Sequence, residues 1–177
     1  MTQPNKHIIQ GCKKGNRASQ KELYFLSKDR IKSIALRYCY SIEDAKDVVQ
    51  ESYLKIYKNI KSLDDSKGSF NAWSAKIVVN EALTKIRKKK HADLYVNSMG
   101  DDNYSKQKPS LDNITIEEIK KTMKSLKGDH QLVLNMYFFE EFNYKEMSSI
   151  LKLKESSVRS KVTRAKSELM IHWRKKT

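Results

Sequence analysis

The stretch SSVRSKVTRAKSEL, residues 156–169, has the two-sided composition of an amphipathic helix. Projected at about 100° per residue, its apolar residues fall within one narrow arc suited to burial, namely Val158, Val162, Ala165 and Leu169. The rest of its surface carries hydroxyl and basic side chains, namely Ser156, Ser157, Arg159, Ser160, Thr163, Arg164, Lys166 and Ser167. The sequence therefore predicts a helix with one buried side and one polar, basic side.

A second, shorter helix is predicted immediately before this one. The segment NYKEMSSIL, residues 143–151, places Met147, Ile150 and Leu151 on one side, and only the short connection KLKE separates the two helices. This order is typical of a helix-turn-helix, whose second helix reads DNA. Arg can grip a guanine edge with two hydrogen bonds, and Ser or Thr can bond to bases or phosphates. A solvated amphipathic helix without a ligand is the alternative that the same periodicity allows.

The net charge of the chain favours a polyanionic partner. Its 177 residues include 36 Lys or Arg and 21 Asp or Glu, which gives a formal net charge of +15. Ten Lys or Arg against three Glu lie in residues 143–177, where the DNA-reading helix is predicted. A field of this sign attracts nucleic acid, although a lysine-rich solvated surface would have the same net charge.

No segment resembles an export signal or a membrane anchor. Residues 1–20 are polar, and no run of about eighteen apolar residues occurs, so a cytoplasmic protein without membrane insertion is expected. Cys12 and Cys39 lack metal-like spacing and are expected to be reduced thiols. The histidines are scattered, so no metal, cofactor or catalytic residue is expected; they are His7, His91, His130 and His172.

The scarcity of Gly, Pro and β-branched alternation predicts an all-α chain. Residues 91–113 have no apolar period and contain Gly100 and Pro109, which predicts a flexible linker. We therefore expect two small helical domains, residues 5–90 and 114–177, joined by that linker. The first long helix of the chain is expected to bury Leu23, Leu26, Ile31, Ile34, Ala35 and Tyr38.

The next helix, which Ser41 should cap and which should end near Ile60, has an acidic face in a basic protein. Helical spacing places five polar residues on one side, namely Glu43, Asp44, Asp47, Gln50 and Glu51. These carboxylates would repel DNA, so a basic protein surface is the expected partner. Two alternatives are metal or acid–base chemistry, for which no His lies at ligand spacing, and a solvated face supported by Lys46 and Lys55.

A basic helix and the loop before it suit single-stranded nucleic acid. The loop KSLDDSKGSF, residues 61–70, contributes Lys61, Lys67 and Phe70, and the helix from Asn71 to Lys90 is rich in Lys and Arg. Cations can follow a phosphate backbone while aromatic rings stack on an unpaired base. Two residues of this helix have two interpretations each: Trp73 stacks on a base or packs in the core, and Asn80 bonds a base edge or an internal group.

Two long segments resemble the conserved regions of one bacterial family. DAKDVVQESYLKIYKNI followed by FNAWSAKIVVNEALTKIRKKK, residues 44–60 and 70–90, looks like the second region of the extracytoplasmic-function (ECF) group of sigma-70 family sigma factors. SLKGDHQLVLNMYFFEEFNYKEMSSILKLKESSVRSKVTRAKSEL, residues 125–169, looks like the fourth region of that group. The turn KLK departs from the family pattern because it lacks the usual glycine.

The resemblance implies a sigma factor that directs promoter recognition as a subunit of RNA polymerase. The acidic face would dock on the coiled coil of the largest polymerase subunit through Asp44, Asp47, Gln50 and Glu51. The −10 element would be recognised and melted through Lys61, Lys67, Phe70, Trp73, Asn80, Arg87 and Lys88. The −35 element would be read by Ser156, Ser157, Arg159, Ser160, Thr163, Arg164 and Lys166. The family also implies control by a separate anti-sigma protein.

Two other classes of function remain open on the residues alone. A stand-alone helix-turn-helix regulator would account for the C-terminal domain but would give the acidic face no role. An enzyme acting on nucleic acid would need carboxylates beside metal ligands, or a nucleophile beside a base, and neither pattern is visible.

Overall fold

The structure, a computed structural model, describes residues 4–64, 66, 68–93, 126 and 128–174. The chain divides into two compact units, Met1–Ser98 and Met99–Thr177. The described residues form helices and no strand. The prediction of an all-α chain with two helical domains is therefore confirmed.

The described part of the first unit contains four α-helices and a short 3-10 turn. They are α1 (Lys6–Lys13), α2 (Arg17–Tyr38), α3 (Ile42–Asn59), the 3-10 turn (Ile60–Ser62) and α4 (Phe70–Asp93). The Ser41 hydroxyl accepts a hydrogen bond from the Asp44 N–H at 3.1 Å, so the predicted N-cap of α3 is confirmed. The last helix continues to Asp93 rather than ending at Lys90. Most of the predicted linker lies outside the described residues.

The core of the first unit lies among α2, α3 and α4, which pack on one another. Its largest fully buried side chains are Leu23, Ile31, Ile34, Ile56, Ile60, Val78 and Val79. The prediction that Leu26 is buried is wrong, because this side chain is 40% exposed. Leu26 projects about 140° away from Ile31 around the helix, whereas Ser27 projects only about 40° away. Ser27 is therefore buried instead, and its hydroxyl donates to the Leu23 carbonyl at 2.7 Å.

The first helix, α1, is attached to the rest of the unit at two points. It packs so closely on α2 that a Cβ added to Gly11 would lie 2.0 Å from the Ser19 Oγ, so a larger residue does not fit. The Lys13 Nζ donates to the Leu63 carbonyl at 2.6 Å. This second contact fixes the chain just after the 3-10 turn, where the loop to α4 begins.

The described part of the second unit is a helix-turn-helix with a supporting helix. Its elements are α5 (Gly128–Leu134), a π-helical turn (Asn135–Phe139), α6 (Tyr144–Leu151) and α7 (Glu155–Arg174), and both α5 and α6 pack on α7. Asn143 and Glu146 form a reciprocal capping box at the start of α6, with N···O distances of 2.9 and 3.0 Å. Residues 114–125 and 127 of the predicted second domain lie outside the described residues, and Leu126 between them is buried.

The turn between α6 and α7 contains a lysine in the left-handed region. Lys152 has φ 57° and ψ 43°. The Leu153 N–H donates to the Ser148 carbonyl at 3.2 Å, and the Ser148 hydroxyl donates to the Leu153 carbonyl at 2.6 Å. These bonds close α6 as a glycine C-cap would, although the residue is Lys. The predicted helix-turn-helix thus forms without the glycine that is usual in the turn.

Candidate polymerase and DNA interfaces

The acidic face of α3 is accessible but partly neutralised by α4. The Asp47 side chain is 63% exposed, and its Oδ2 accepts a hydrogen bond from the Lys85 Nζ at 2.5 Å. Asp44, which is 17% exposed, places its Oδ1 3.3 Å from the same ammonium. These carboxylates, Asp47 above all, raise the pKa of Lys85. Gln50 and the exposed Glu51 continue the face toward the middle of α3.

A groove between α3 and α4 lies beside this face. Its charged lining consists of three acidic residues and three lysines, namely Asp47, Glu51, Glu81, Lys55, Lys85 and Lys88. A second ion pair crosses it, because the Lys55 Nζ lies 2.5 Å from the Glu81 Oε1. Each helix thus supplies both acidic and basic partners to the other. Most of these charges are solvated, so the pairs add little to stability and mainly fix the two faces relative to each other.

The two aromatic residues predicted to stack on a melted base differ in exposure. Phe70 is buried, with only 4% of its surface exposed, whereas Trp73 is half-buried. Their ring centres lie 6.1 Å apart at an interplanar angle of 46°. The Phe70 ring therefore packs in the core beneath Trp73 in this conformation, and only Trp73 presents part of its ring at the surface.

The polar residues predicted to meet the −10 element lie on one side of α4. At about 100° per residue, Trp73, Asn80, Arg87 and Lys88 project within about 100° of one another, and the last three are exposed. The Asn80 side-chain amide donates to the Lys76 carbonyl at 2.8 Å, which holds it along its own helix. Before α4, Lys61 is exposed on the 3-10 turn, and Lys67 lies outside the described residues.

The residues predicted to meet the −35 element are gathered on one side of α7. Val158, Val162 and Ala165 are fully buried, which confirms the two-sided helix, and Leu169 is half-buried. The exposed members of the predicted set are Ser156, Ser157, Arg159, Ser160, Thr163 and Arg164. The Thr163 hydroxyl donates to the Arg159 carbonyl at 3.0 Å, so it is bonded within the helix until a ligand competes for it.

Two cations of this set contact aromatic rings. The Arg159 guanidinium lies 4.6 Å from the centre of the Tyr144 ring and 3.2 Å from the Glu155 Oε1, so its side chain is held against the N-terminus of α6. The Lys166 Nζ lies 3.8 Å from the centre of the Tyr137 ring and, by hydrogen bonding, lowers the pKa of that tyrosine. Lys166 is half-buried, so it is the least available cation of the predicted set.

An ion pair and a histidine–carboxylate contact fix α5 against α7. The Lys161 Nζ lies 3.0 Å from the Asp129 Oδ2 and lowers the pKa of that carboxyl through its hydrogen bond. His130 contacts Glu168, which lies about two turns beyond Lys161 along α7. Because these pairs lie at the edge of the helix contact, they orient α7 without occupying its exposed face.

The sequence matches two conserved regions of one known protein family, one region in each unit. Residues 23–92 match Sigma-70 region 2, and residues 116–169 match Sigma-70, region 4. The chain belongs to the sigma-70 family. The two regions occur in the order that the residue patterns predicted, so the resemblance noted from the sequence is confirmed.

The relatives of the chain point to the ECF group within this family. The ECF RNA polymerase sigma factor SigW of Bacillus subtilis is 24% identical over 93% of this chain and 94% of its own length. SigM of the same organism is 28% identical over 71% of this chain and 77% of its own length. Among solved structures, the sigma factor RpoE of Bartonella quintana, crystallised with the anti-sigma factor NepR, has a TM-score of 0.63 at 18% identity. It covers 87% of this chain and 96% of its own, which shows a shared fold.

The described part of the chain contains neither a cluster of metal ligands nor a helix that could cross a membrane. No three His, Cys, Asp or Glu side chains come together there as metal ligands would. None of the described helices has the length and apolarity needed to cross a membrane. Both cysteines are free thiols, and burial raises the pKa of Cys39 to about 11, so it is a poor nucleophile at neutral pH.

Sequence reasoning missed the contacts that cross between helices. Lys85 was expected only to add positive charge to α4, and its pairing with Asp47, 38 residues earlier, was not anticipated. A weak signal existed, because Lys85 projects to the flank of α4, between its buried side and its exposed side. The contact of Tyr144 with Arg159 was also missed, since nothing in the local pattern assigns that ring a partner.

Proposed function

We propose that the chain is an ECF-type sigma factor that binds core RNA polymerase and directs it to promoters, without covalent chemistry of its own. Support comes from the family match in both units and from relatives that are named RNA polymerase sigma factors. The observation that carries the proposal is the presence in one chain of an accessible acidic face on α3 and an exposed Arg and hydroxyl face on α7. A stand-alone regulator has no use for the first of these.

The acidic face of α3 is the proposed polymerase contact. Its members are Asp44, Asp47, Gln50 and Glu51, and the proposed partner is the basic surface of a coiled coil in the largest subunit. Asp47 and Glu51 lie one helical turn apart and are exposed, so two cations of a partner can reach both at once. Complementary charge of this kind sets orientation and association rate.

The exposed side of α4 and the loop before it are the proposed site for the −10 element. Lys61, Trp73, Asn80, Arg87 and Lys88 are the proposed contacts, together with Lys67. Trp73 offers a partly exposed ring to an unstacked base, and Arg87 and Lys88 offer cations to its phosphates. Because Phe70 is buried, its proposed part is to support the Trp73 ring and the end of the loop from below.

The exposed side of α7 is the proposed reader of the −35 duplex. Ser156, Ser157, Arg159, Ser160, Thr163 and Arg164 face solvent over more than two turns, which is the length of helix that a major groove accepts. Arg159 is held in place by Tyr144 and Glu155 before any DNA arrives. Lys166 is proposed to add a phosphate contact only after it leaves the Tyr137 ring.

The two units are proposed to act on DNA together through polymerase. The proposed domains are residues 5–93, since α4 ends at Asp93, and 114–177, and a polar linker between them, 94–113, would reach roughly 25 Å as a coil. Each unit alone would bind a short element weakly, and tethering both to polymerase raises their effective concentration on the promoter. We also propose a cytoplasmic location. Control by an anti-sigma protein is proposed because the solved relative was crystallised with one.

Binding to core polymerase tests the proposal directly. The wild-type chain and the variant Asp47→Lys with Glu51→Lys are each mixed with core enzyme, and complex formation and initiation from a matched promoter are measured. We expect the wild type to bind and initiate, and the charge-reversed variant to do neither while keeping its helical circular dichroism spectrum.

A matched control changes charge by the same amount elsewhere in the same unit. Glu22→Lys with Asp29→Lys reverses two carboxylates on the side of α2 that faces away from its buried residues. This variant should retain polymerase binding. If the wild-type chain does not bind polymerase but binds duplex DNA tightly by itself, the sigma-factor proposal is wrong and a stand-alone regulator takes its place.

A further inference from the structure

The two proposed interfaces of the first unit meet at a single lysine. Lys85 belongs to α4, the helix proposed to contact melted DNA, yet its Nζ lies 2.5 Å from Asp47 and 3.3 Å from Asp44 on the proposed polymerase face. The Asp47 carboxylate therefore has two possible cationic partners, Lys85 within the chain and a basic residue on polymerase. The same lysine has two possible anionic partners, the α3 carboxylates and a DNA phosphate.

The exposure of these groups makes the exchange physically accessible. Asp47 is 63% exposed, so a cation on an arriving protein can approach its carboxylate while Lys85 still occupies one side. The Lys85 side chain is 35% exposed and lines the same groove as Lys88, one turn farther along α4. A lysine released from Asp47 thus joins a cation already proposed to contact the melted strand. Solvated ion pairs of this type are weak, so replacing one does not need a large driving force.

We propose that the Lys85–Asp47 ion pair couples polymerase docking to the capture of single-stranded promoter DNA. In the free chain Asp47, with Asp44 behind it, holds Lys85 away from DNA, and docking of a basic polymerase surface on these two carboxylates releases Lys85 to a phosphate. This inference rests on the proposed function for the identity of the two partners. By thermodynamic linkage the effect is reciprocal, so DNA that takes Lys85 also favours docking at Asp47.

The coupling can be measured without polymerase, because replacing the Asp47 carboxylate has the same effect on Lys85 as a polymerase cation that binds this carboxylate. Affinity of the full chain for a fluorescent oligo-dT 20-mer is measured as a function of salt for Asp47→Asn and for Glu51→Gln. Both variants remove one negative charge from the same face, but Glu51 has no ion pair with the described residues, so only the first removes the nearer of the two carboxylates that hold Lys85. We expect Asp47→Asn to tighten binding about two- to fivefold more than Glu51→Gln does. Its log–log salt slope should be steeper by about 0.7, which corresponds to one more phosphate contact on a single strand.

A second background identifies Lys85 as the cause. In a Lys85→Met chain, Asp47→Asn and Glu51→Gln should have equal effects, because no lysine remains to be released. Lys85→Arg keeps a cation at the same place and should restore the difference. Equal effects of the two substitutions in the wild-type background, or a difference that persists with Lys85→Met, would overturn the inference.

The polymerase-binding experiment and the oligonucleotide experiment can fail independently. If the chain fails to bind core polymerase, the proposed function fails, whereas the oligonucleotide measurement still reports whether Asp47 restrains Lys85. If the chain binds polymerase but Asp47→Asn behaves like Glu51→Gln, the sigma-factor proposal stands and the coupling through Lys85 is rejected.

Discussion

Replacing Lys152 with Gly should stabilise the second unit. Lys152 closes α6 with φ 57° and ψ 43°, a left-handed conformation that costs an L-residue roughly 1–2 kcal/mol. Glycine adopts this conformation freely but loses more backbone entropy on folding, which offsets about 0.4–1 kcal/mol of the gain. The expected net gain in the free energy of unfolding is about 1 kcal/mol. For a domain of this size that corresponds to a rise in Tm of about 4–8 °C.

The assay must report on the second unit alone, because a chain with two units does not unfold in one transition. Amide hydrogen exchange of α6 and α7 provides such a report. Slower exchange is expected throughout both helices in the Lys152→Gly variant, and unchanged exchange in α2 and α3.

The matched control is Ser149→Gly, which also introduces glycine at an exposed position but does so inside α6. Glycine in a helix interior costs roughly 0.5–1 kcal/mol, so this variant should exchange faster. The two substitutions are therefore expected to have opposite signs. If both accelerate exchange, Lys152 is not under left-handed strain in solution, and the reasoning about this turn is wrong.

Three further predictions concern the core, the pH dependence and the salt dependence. Ile56 is fully buried, so Ile56→Ala should lower the free energy of unfolding of the first unit by about 2–5 kcal/mol in urea titrations, whereas Leu54→Ala, at a side chain 59% exposed, should have little effect. Lys161 holds the pKa of Asp129 below its ordinary value of 3.8, so the pair stabilises the native state above that pH and the contribution is lost as pH falls through the lowered folded-state pKa. The stability difference between wild type and Asp129→Asn should accordingly shrink on acidification below pH 3.8 in pH-dependent thermal unfolding, and an unchanging difference would contradict the assignment. If about eight Lys or Arg contact phosphates, duplex affinity measured at increasing salt should fall with a log–log slope of about −7, and a slope near zero would exclude this mode of binding.

Local patterns predicted the elements of this fold well, because they depend on spacing along one helix. The buried positions Val158, Val162 and Ala165 followed from a period of 3.6 residues, and the Ser41 cap followed from a hydroxyl before an apolar run. Leu26 was misplaced because an apolar residue was assigned to the core by composition rather than by its angle on the helix. Ser27, a polar residue, occupies the buried position because its hydroxyl bonds the Leu23 carbonyl of its own helix.

Contacts between helices were not predictable from such patterns. The pairing of Lys85 with Asp47 depends on how α3 and α4 pack, and either residue alone is an ordinary surface charge. The burial of Phe70 has the same origin, since a loop aromatic and a core aromatic look alike in a sequence. The left-handed Lys152 was hidden for a different reason, because glycine is the residue that normally signals this conformation.

The hydrogen bond from Lys13 to the Leu63 carbonyl bears on how the first unit should be cut for separate study. The match to Sigma-70 region 2 begins at residue 23, so a fragment chosen from that boundary would omit α1 entirely. Such a fragment would keep every residue of the first unit that is proposed to contact DNA, but it would lose Lys13, the donor that holds the start of the loop before α4. The promoter preference measured for the fragment would then reflect a loop that has lost one of its anchors, and it would differ from the preference of the full chain. A faithful fragment should begin at or before Asn5, which caps α1.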